Sequence, residues 1–378
     1  MAALTEEQAL LKEQATTWAR DEAPVAKFRE MRDSGNDRGF DKATWANIGE
    51  MGWAGIVVPE VYGGVDMGFQ TFGVVLEELG RQLTASPLLA SGLVGATALV
   101  LGGTEAQKQT WLPRIAEGSA IVTLAVDEGP RHAPAATALT AEKAGSGFRL
   151  SGKKVLVPEG MSADAFVVVA RSDGSAGDDS GISLFLVEAT AQGLSRERLS
   201  TADSRGYASL RFDGTEVESS ALLGTLGEGA PVLHATLDRG RAGLAAEMLG
   251  VAEQSFDMTL DYLKNRVQFG QVIGSFQALG HRAADLYTEK EMARSCVEAA
   301  LQAIDAGAED VDRLCSLAKC VAGDFLHHMS NELIQIHGGI GMTDEFDAGL
   351  YLKRARAQAA LWGNPAFHRD RYATLLGY

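Results

Sequence analysis

Ile121-Val-Thr-Leu-Ala-Val126 is the point at which the periodicity of this chain changes. Before it, apolar residues recur at helical spacing, in Thr71 to Gln82 and again in Glu105 to Ile115. Thr5-Glu-Glu-Gln8 has the form of a capping box that opens a first helix. Val58-Pro-Glu-Val-Tyr-Gly-Gly64 must break a helix, since proline and paired glycines cannot continue one. After Ile121 the signal is short β-favouring runs: Phe148 to Val157, Ala165 to Ala170, Ile182 to Val187 and Ala208 to Phe212. Turn-rich pieces such as Ser172-Asp-Gly-Ser-Ala-Gly-Asp-Asp-Ser-Gly181 separate them. From about Glu228 helices return, over Gly229 to Arg266, Phe276 to Ala306, Asp310 to His337 and Asp344 to the end. Helices, then strands, then helices imply segregated layers rather than one doubly wound sheet. The expected class is α+β, with a helical domain over 1–120, an all-β barrel or sandwich over 121–227, and a helical domain over 228–378.

The bulk properties narrow the function. With 378 residues, 46% of them hydrophobic, a large core over two or three domains is expected. A net charge of -16 excludes the basic face that nucleic-acid binding needs. Local arginines can still bind an anion against that field. Cys296, Cys315 and Cys320 lack metal-type spacing and read as free thiols in a reducing cytosol. The best apolar stretch, Leu88 to Leu101, is too short to span a bilayer, and the N-terminus has no signal-peptide pattern. A cytoplasmic protein that touches no membrane is expected, and no metal site.

Two segments carry the chemistry: Arg266-Val-Gln-Phe-Gly270 with Phe276-Gln277, and Gln335-Ile-His-Gly-Gly-Ile-Gly341. The first offers a guanidinium, an amide and an aromatic ring within four residues; the second offers an amide followed by closely spaced glycines. A bound dinucleotide needs such groups: planar donors for its pyrophosphate, flat surfaces for its rings, and glycine where backbone approaches closely. Plainer readings exist for each. Arg266 could serve as a helix C-terminal cation, and the glycines as an ordinary cap.

With these residues in place, the chain resembles the acyl-CoA dehydrogenase family over nearly its whole length. Trp45-Ala-Asn-Ile-Gly-Glu-Met-Gly-Trp53 through Gly64 looks like the N-terminal signature, and Ser151-Gly-Lys-Lys154 like the hairpin that enters the flavin-contact strand. Leu237-Asp-Arg-Gly-Arg241 looks like the start of a C-terminal four-helix bundle. The resemblance implies FAD as cofactor. It implies that Arg266, Gln268 and Phe269 contact the FAD of a neighbouring subunit, with Gln277 near the adenine and Gln335, Gly338 and Gly339 around the pyrophosphate. Asp238 and Arg241 would contact the pantetheine part of an acyl-CoA substrate.

The family removes a proton from the substrate α-carbon with a carboxylate. Both of its usual positions lack one here: Trp362 holds the first, in Ala360-Leu-Trp-Gly-Asn-Pro365, and Gly240 the second. Glu247 is the remaining candidate base. It shares a helix face with Gly240 but stands about 10 Å along the axis from it. A structural or flavin-side polar group is the favoured reading of Glu247, and exposure to solvent the third. The middle domain also departs: Val126-Asp-Glu-Gly-Pro-Arg-His-Ala-Pro134 and Leu156-Val-Pro158 replace the usual flavin-facing runs. The pattern resembles a bacterial branch acting on steroid or other bulky acyl groups. It implies α,β-dehydrogenation, in a homotetramer or as half of an α2β2 heterotetramer, with electrons passing to an electron-transfer flavoprotein. A different flavin reaction, or a non-catalytic partner subunit, are the alternatives.

Overall fold

The computed structural model describes residues 4–378. Six α-helices precede the first strand: α1 Glu6–Glu22, α2 Val25–Asp33, α3 Lys42–Glu50, α4 Gly68–Arg81, α5 Ala96–Gly102 and α6 Glu105–Ala116. The capping box at Thr5 forms as expected, and Thr104 with Gln107 repeats it at α6. The apolar run that begins at Leu88 first makes a wide-turn helix, Leu88–Gly95, and then α5. Among the described residues no helix is long and apolar enough to cross a membrane.

Eight strands follow: β1 Val122–Ala125, β2 Thr140–Ala144, β3 Gly147–Val157, β4 Ala165–Arg171, β5 Ile182–Glu188, β6 Leu194–Arg198, β7 Ala208–Val217 and β8 Leu222–Leu223. They join in the order β6-β7-β3-β2-β4-β5-β8, with β1 alongside β4. Most neighbours are antiparallel; β1–β4 is a parallel pair. β4 is buried along its entire length, which is why Ala165 to Ala170 reads as an unbroken apolar run. β2 and β6, polar and mostly exposed, gave no such signal.

Five helices complete the chain: α7 Ala230–Asn265, α8 Gln277–Ala306, α9 Val311–His337, α10 Ala348–Ala360 and α11 Pro365–Leu375. A two-stranded hairpin, β9 Val267–Gln268 and β10 Gln271–Val272, links α7 to α8. The sequence from Asp344 to the end, expected as one helical stretch, is cut by a turn at 361–364. Asn364 caps α11 by accepting from Phe367 N at 2.9 Å, and Pro365 suits the first helical position.

Contacts divide the chain into two compact units. One holds the N-terminal stretch through Phe28, Gly73–Thr84 and Arg241–Tyr378; the other holds Arg29–Phe72 and Ala85–Gly240. In the first unit α4 and α7 meet through glycine. A Cβ on Gly250 would fall on the carbonyl of Glu77, and one on Gly80 on the carbonyl of Glu247. Beside this crossing lies a buried ionic network. Arg294 bridges Glu77 and Glu253, Arg81 binds Asp257 at 2.5 Å, and Lys12 binds Glu77 at 3.0 Å. Cys315 and Cys320 are buried in α9, and none of the three cysteines forms a disulfide among the described residues.

Candidate active site

The turn between α10 and α11 has a constrained backbone. Trp362 is in the left-handed region, φ 53°, a conformation that is strained for a bulky L-residue. Its side chain is only 1% exposed. Gly363 has φ 106°, and a Cβ there would collide with Phe367 and His368. Two buried cations hold the turn. Arg241 of α7 donates from Nε to the carbonyl of Trp362 at 3.1 Å and lies 5.5 Å from the ring of Phe367. Lys319 of α9 donates from Nζ to the carbonyls of Gln358, 3.0 Å, and Gly363, 3.2 Å. Complete burial, with the nearby Arg241 charge, lowers the Lys319 pKa from 10.5 to about 7.

Glu247 is buried on α7, and its Oε1 accepts from Arg354 Nη2 of α10 at 2.6 Å. This is an ion pair between two helices.

The two segments singled out in the sequence come together at the far end of α7. The rings of Tyr262 and Phe346 both pack against His337, with centroids 4.3 and 4.6 Å from the imidazole. Leu263, Ile273 and Ile336 form a small core beneath them. This packing brings the loop that starts at Arg266 beside the C-terminus of α9. Arg266, Gln268, Gln277, Gln335, Gly338 and Gly339 are all exposed, and Phe269 is 90% exposed on a positive φ of 55°. Added Cβ atoms on Gly338 or Gly339 meet nothing within 4 Å, so nothing inside the chain calls for glycine there. An exposed arginine, ring and amides beside uncrowded backbone fit the end of an anionic dinucleotide that arrives from outside the chain. His337 itself is structural: its Nδ1 donates to Leu333 O at 2.8 Å, and burial lowers its pKa.

In the other unit, Asp238 is 4% exposed and Gly240 lies just before the buried Arg241. The segment Val126-Asp-Glu128 is organised by Lys154 of β3. Its fully buried Nζ donates to Val126 O at 2.9 Å and to Glu128 Oε1 at 2.7 Å. Burial lowers its pKa to about 8, against the pull of Glu128. Glu128 also accepts from the backbone N–H groups of Ala138 and Leu139, each at 2.9 Å. Asp127 pairs with His132 Nδ1 at 2.9 Å. β3 is irregular beyond Lys154, and Leu156 takes a positive φ of 53°, so the run Leu156-Val-Pro158 leaves regular pairing.

Sequence reasoning had passed over Lys319 and Arg354. Lys319 was findable: Cys315, Lys319, Ala322, Leu326, Met329 and Leu333 form one buried helical stripe, with a lysine where an apolar residue belongs. Arg354 carried no such signal, because its partner is remote in sequence. Among the described residues no cluster of His, Cys, Asp or Glu could hold a metal ion.

Comparison with known proteins agrees with this architecture. The N-terminal domain model of acyl-CoA dehydrogenase matches residues 5–119, the middle domain model 127–215 and the C-terminal domain model 227–376. The chain is 30% identical over 374 residues to an acyl-CoA dehydrogenase of Bacillus subtilis, covering 97% of each. Among solved structures it is similar to the Tcur3481-Tcur3483 steroid ACAD, at 33% identity, 98% coverage of each chain and a TM-score of 0.89. It is also similar to the ChsE4-ChsE5 complex from Mycobacterium tuberculosis, at 28% identity, 99% and 98% coverage and a TM-score of 0.89. By fold, sequence and domain order, the chain belongs to the acyl-CoA dehydrogenase family of FAD-dependent oxidoreductases.

Proposed function

We propose that this chain takes part in the α,β-dehydrogenation of a bulky acyl-CoA as one subunit of a heteromer, whose other subunit brings the catalytic carboxylate. The observation that carries this is the engagement of Glu247 by Arg354 at 2.6 Å, beside two family base positions that hold Trp362 and Gly240. Neither indole nor glycine accepts a proton, and the buried acid on that face of α7 is already paired. A carboxylate from another chain completes the chemistry.

FAD, when bound, supplies the acceptor for the hydride that leaves the substrate β-carbon. This chain's part is to bind and orient. Arg266, Gln268 and Phe269 would contact the FAD of a neighbouring subunit, and Gln277 would approach its adenine. Gln335, Gly338 and Gly339 would close on the pyrophosphate of the same FAD, held mainly by a neighbouring subunit. Their shared exposure at one end of the C-terminal helices supports this. Asp238 and Arg241 are the proposed pantetheine contacts; both are buried, so a CoA arm that reaches them must enter the fold. Gly240 leaves room for a wide acyl group, in keeping with the steroid ACAD among the structural relatives. An electron-transfer flavoprotein is the proposed electron acceptor.

The test is an absorption spectrum near 450 nm of the chain purified alone, with native mass and turnover. Little flavin and no turnover are expected, both restored by a partner that carries the carboxylate. One FAD per chain in an active homotetramer would overturn the heteromer reading. Butyryl-CoA as the best substrate in a panel would overturn the bulky-acyl reading.

A further inference from the structure

Lys319 is 0% exposed, and among the described residues no carboxylate lies within ion-pair distance of it. Burying a lysine amine without a counter-charge is costly in either protonation state, and a Met or Leu would fill the same stripe of α9 at lower cost. What the lysine provides is specific. Its two acceptors are carbonyls on either side of one turn: Gln358, in the last turn of α10, and Gly363. The Gln358 carbonyl is among those that a helix C-terminus leaves short of backbone donors. Between them stands Trp362, in a strained backbone conformation that persists only when its surroundings over-determine it. The Gln358 side-chain amide, also 0% exposed, has no hydrogen-bond partner among the described residues, a further cost accepted in this segment.

We propose that Lys319 is a positioning residue: by tying the Gln358 and Gly363 carbonyls to α9, it fixes where the Trp362 ring stands and thereby which acyl groups the site admits. Arg241 holds the intervening carbonyl of Trp362, so the turn is fastened at three carbonyls by two helices. Lys319 touches neither acyl group nor cofactor; it acts through the ring. The acyl-selection step rests on the acyl-CoA reading above, while the positioning step does not.

The experiment uses Lys319→Met in the assembled protein, with two readouts. The first is the emission of Trp362 alone, obtained as the difference between each protein and its Trp362→Phe counterpart. The second is the ratio of kcat/KM for a bulky acyl-CoA to that for butyryl-CoA. A shifted Trp362 emission and a ratio changed by about tenfold or more are expected, the scale at which pocket shape discriminates. A folded Lys319→Met with unmoved emission overturns the proposal. Shifted emission with an unchanged ratio keeps Lys319 as the fastener of the turn and removes acyl selection. Lys319→Gln, which retains a donor, should restore part of the emission. If neither variant folds, Lys319 is a folding residue and the proposal fails.

Discussion

Replacing Glu247 should damage stability first and chemistry only through it. Its Oε1 lies 2.6 Å from Arg354 Nη2, and both residues are 7% exposed. At an effective dielectric near 20 the gross attraction is about 6 kcal/mol, and desolvation of the two ions takes back most of it. Removing one partner strands the other, which costs about 3–5 kcal/mol. Glu247→Leu should therefore lower the melting temperature of the C-terminal helical unit by on the order of 10 °C. Glu247→Gln, which still offers an oxygen to Arg354, should cost less. The double variant Glu247→Leu/Arg354→Leu removes both charges and should recover most of the loss. The assay is a thermal melt of the four proteins, paired with turnover in the active assembly at a temperature where all are folded. A catalytic base behaves otherwise: its loss removes about 10²–10⁴ in kcat with little change in stability. If Glu247→Gln keeps its melting temperature and loses activity on that scale, the ion-pair reasoning is refuted.

Three further outcomes follow from the geometry. Gly250→Ala places a methyl on the Glu77 carbonyl at the α4–α7 crossing and should cost at least about 1–3 kcal/mol; a melting temperature equal to wild type would contradict so close an approach. Arg266→Ala should lower the flavin bound by the assembly, read at 450 nm, without a change in the melting temperature of the chain alone, because Arg266 is exposed. Lys154 and Lys319 have folded pKa values of about 8 and about 7, below their ordinary 10.5. From those values up to 10.5 the unfolded chain binds the extra protons, so each lysine makes stability rise with pH across its window. Melts at pH 7.5 and 9.5 should show wild type gaining on Lys154→Met and Lys319→Met at the higher pH; a difference independent of pH would show that these amines are not held below their ordinary range.

Most of the fold was legible because its signals are local. The Thr5 box, the alternation in β3, the unbroken apolar β4 and the long amphipathic helices each lie within a dozen or so residues. What was lost lacked apolar pattern. β6 is a polar edge strand whose identity comes from pairing with β7. The break at 361–364 falls between two helical patterns, and only Gly363-Asn-Pro365 marks it. The compact units were also hidden, since α1 and the second half of α4 belong with residues more than a hundred positions later.

The site was legible in its exposed parts and hidden in its buried ones, for an electrostatic reason. Arg266, Phe269, Gln335 and Gly339 lie in short exposed motifs, so the resemblance to the family could be read from a few adjacent residues. The meaning of a buried charge depends on its partner, and here the partners are distant. Glu247 could be read as a structural polar group or as a candidate base, and its partner Arg354, 107 residues on, is visible only in the fold. Lys319 sits in a core stripe, and its acceptors are carbonyls 39 and 44 residues away. The C-terminal unit uses its buried acid to join α7 to α10 and its buried lysine to hold a turn. In that unit Glu247 and Lys319 serve geometry, which is the ground on which we propose that another chain brings the carboxylate.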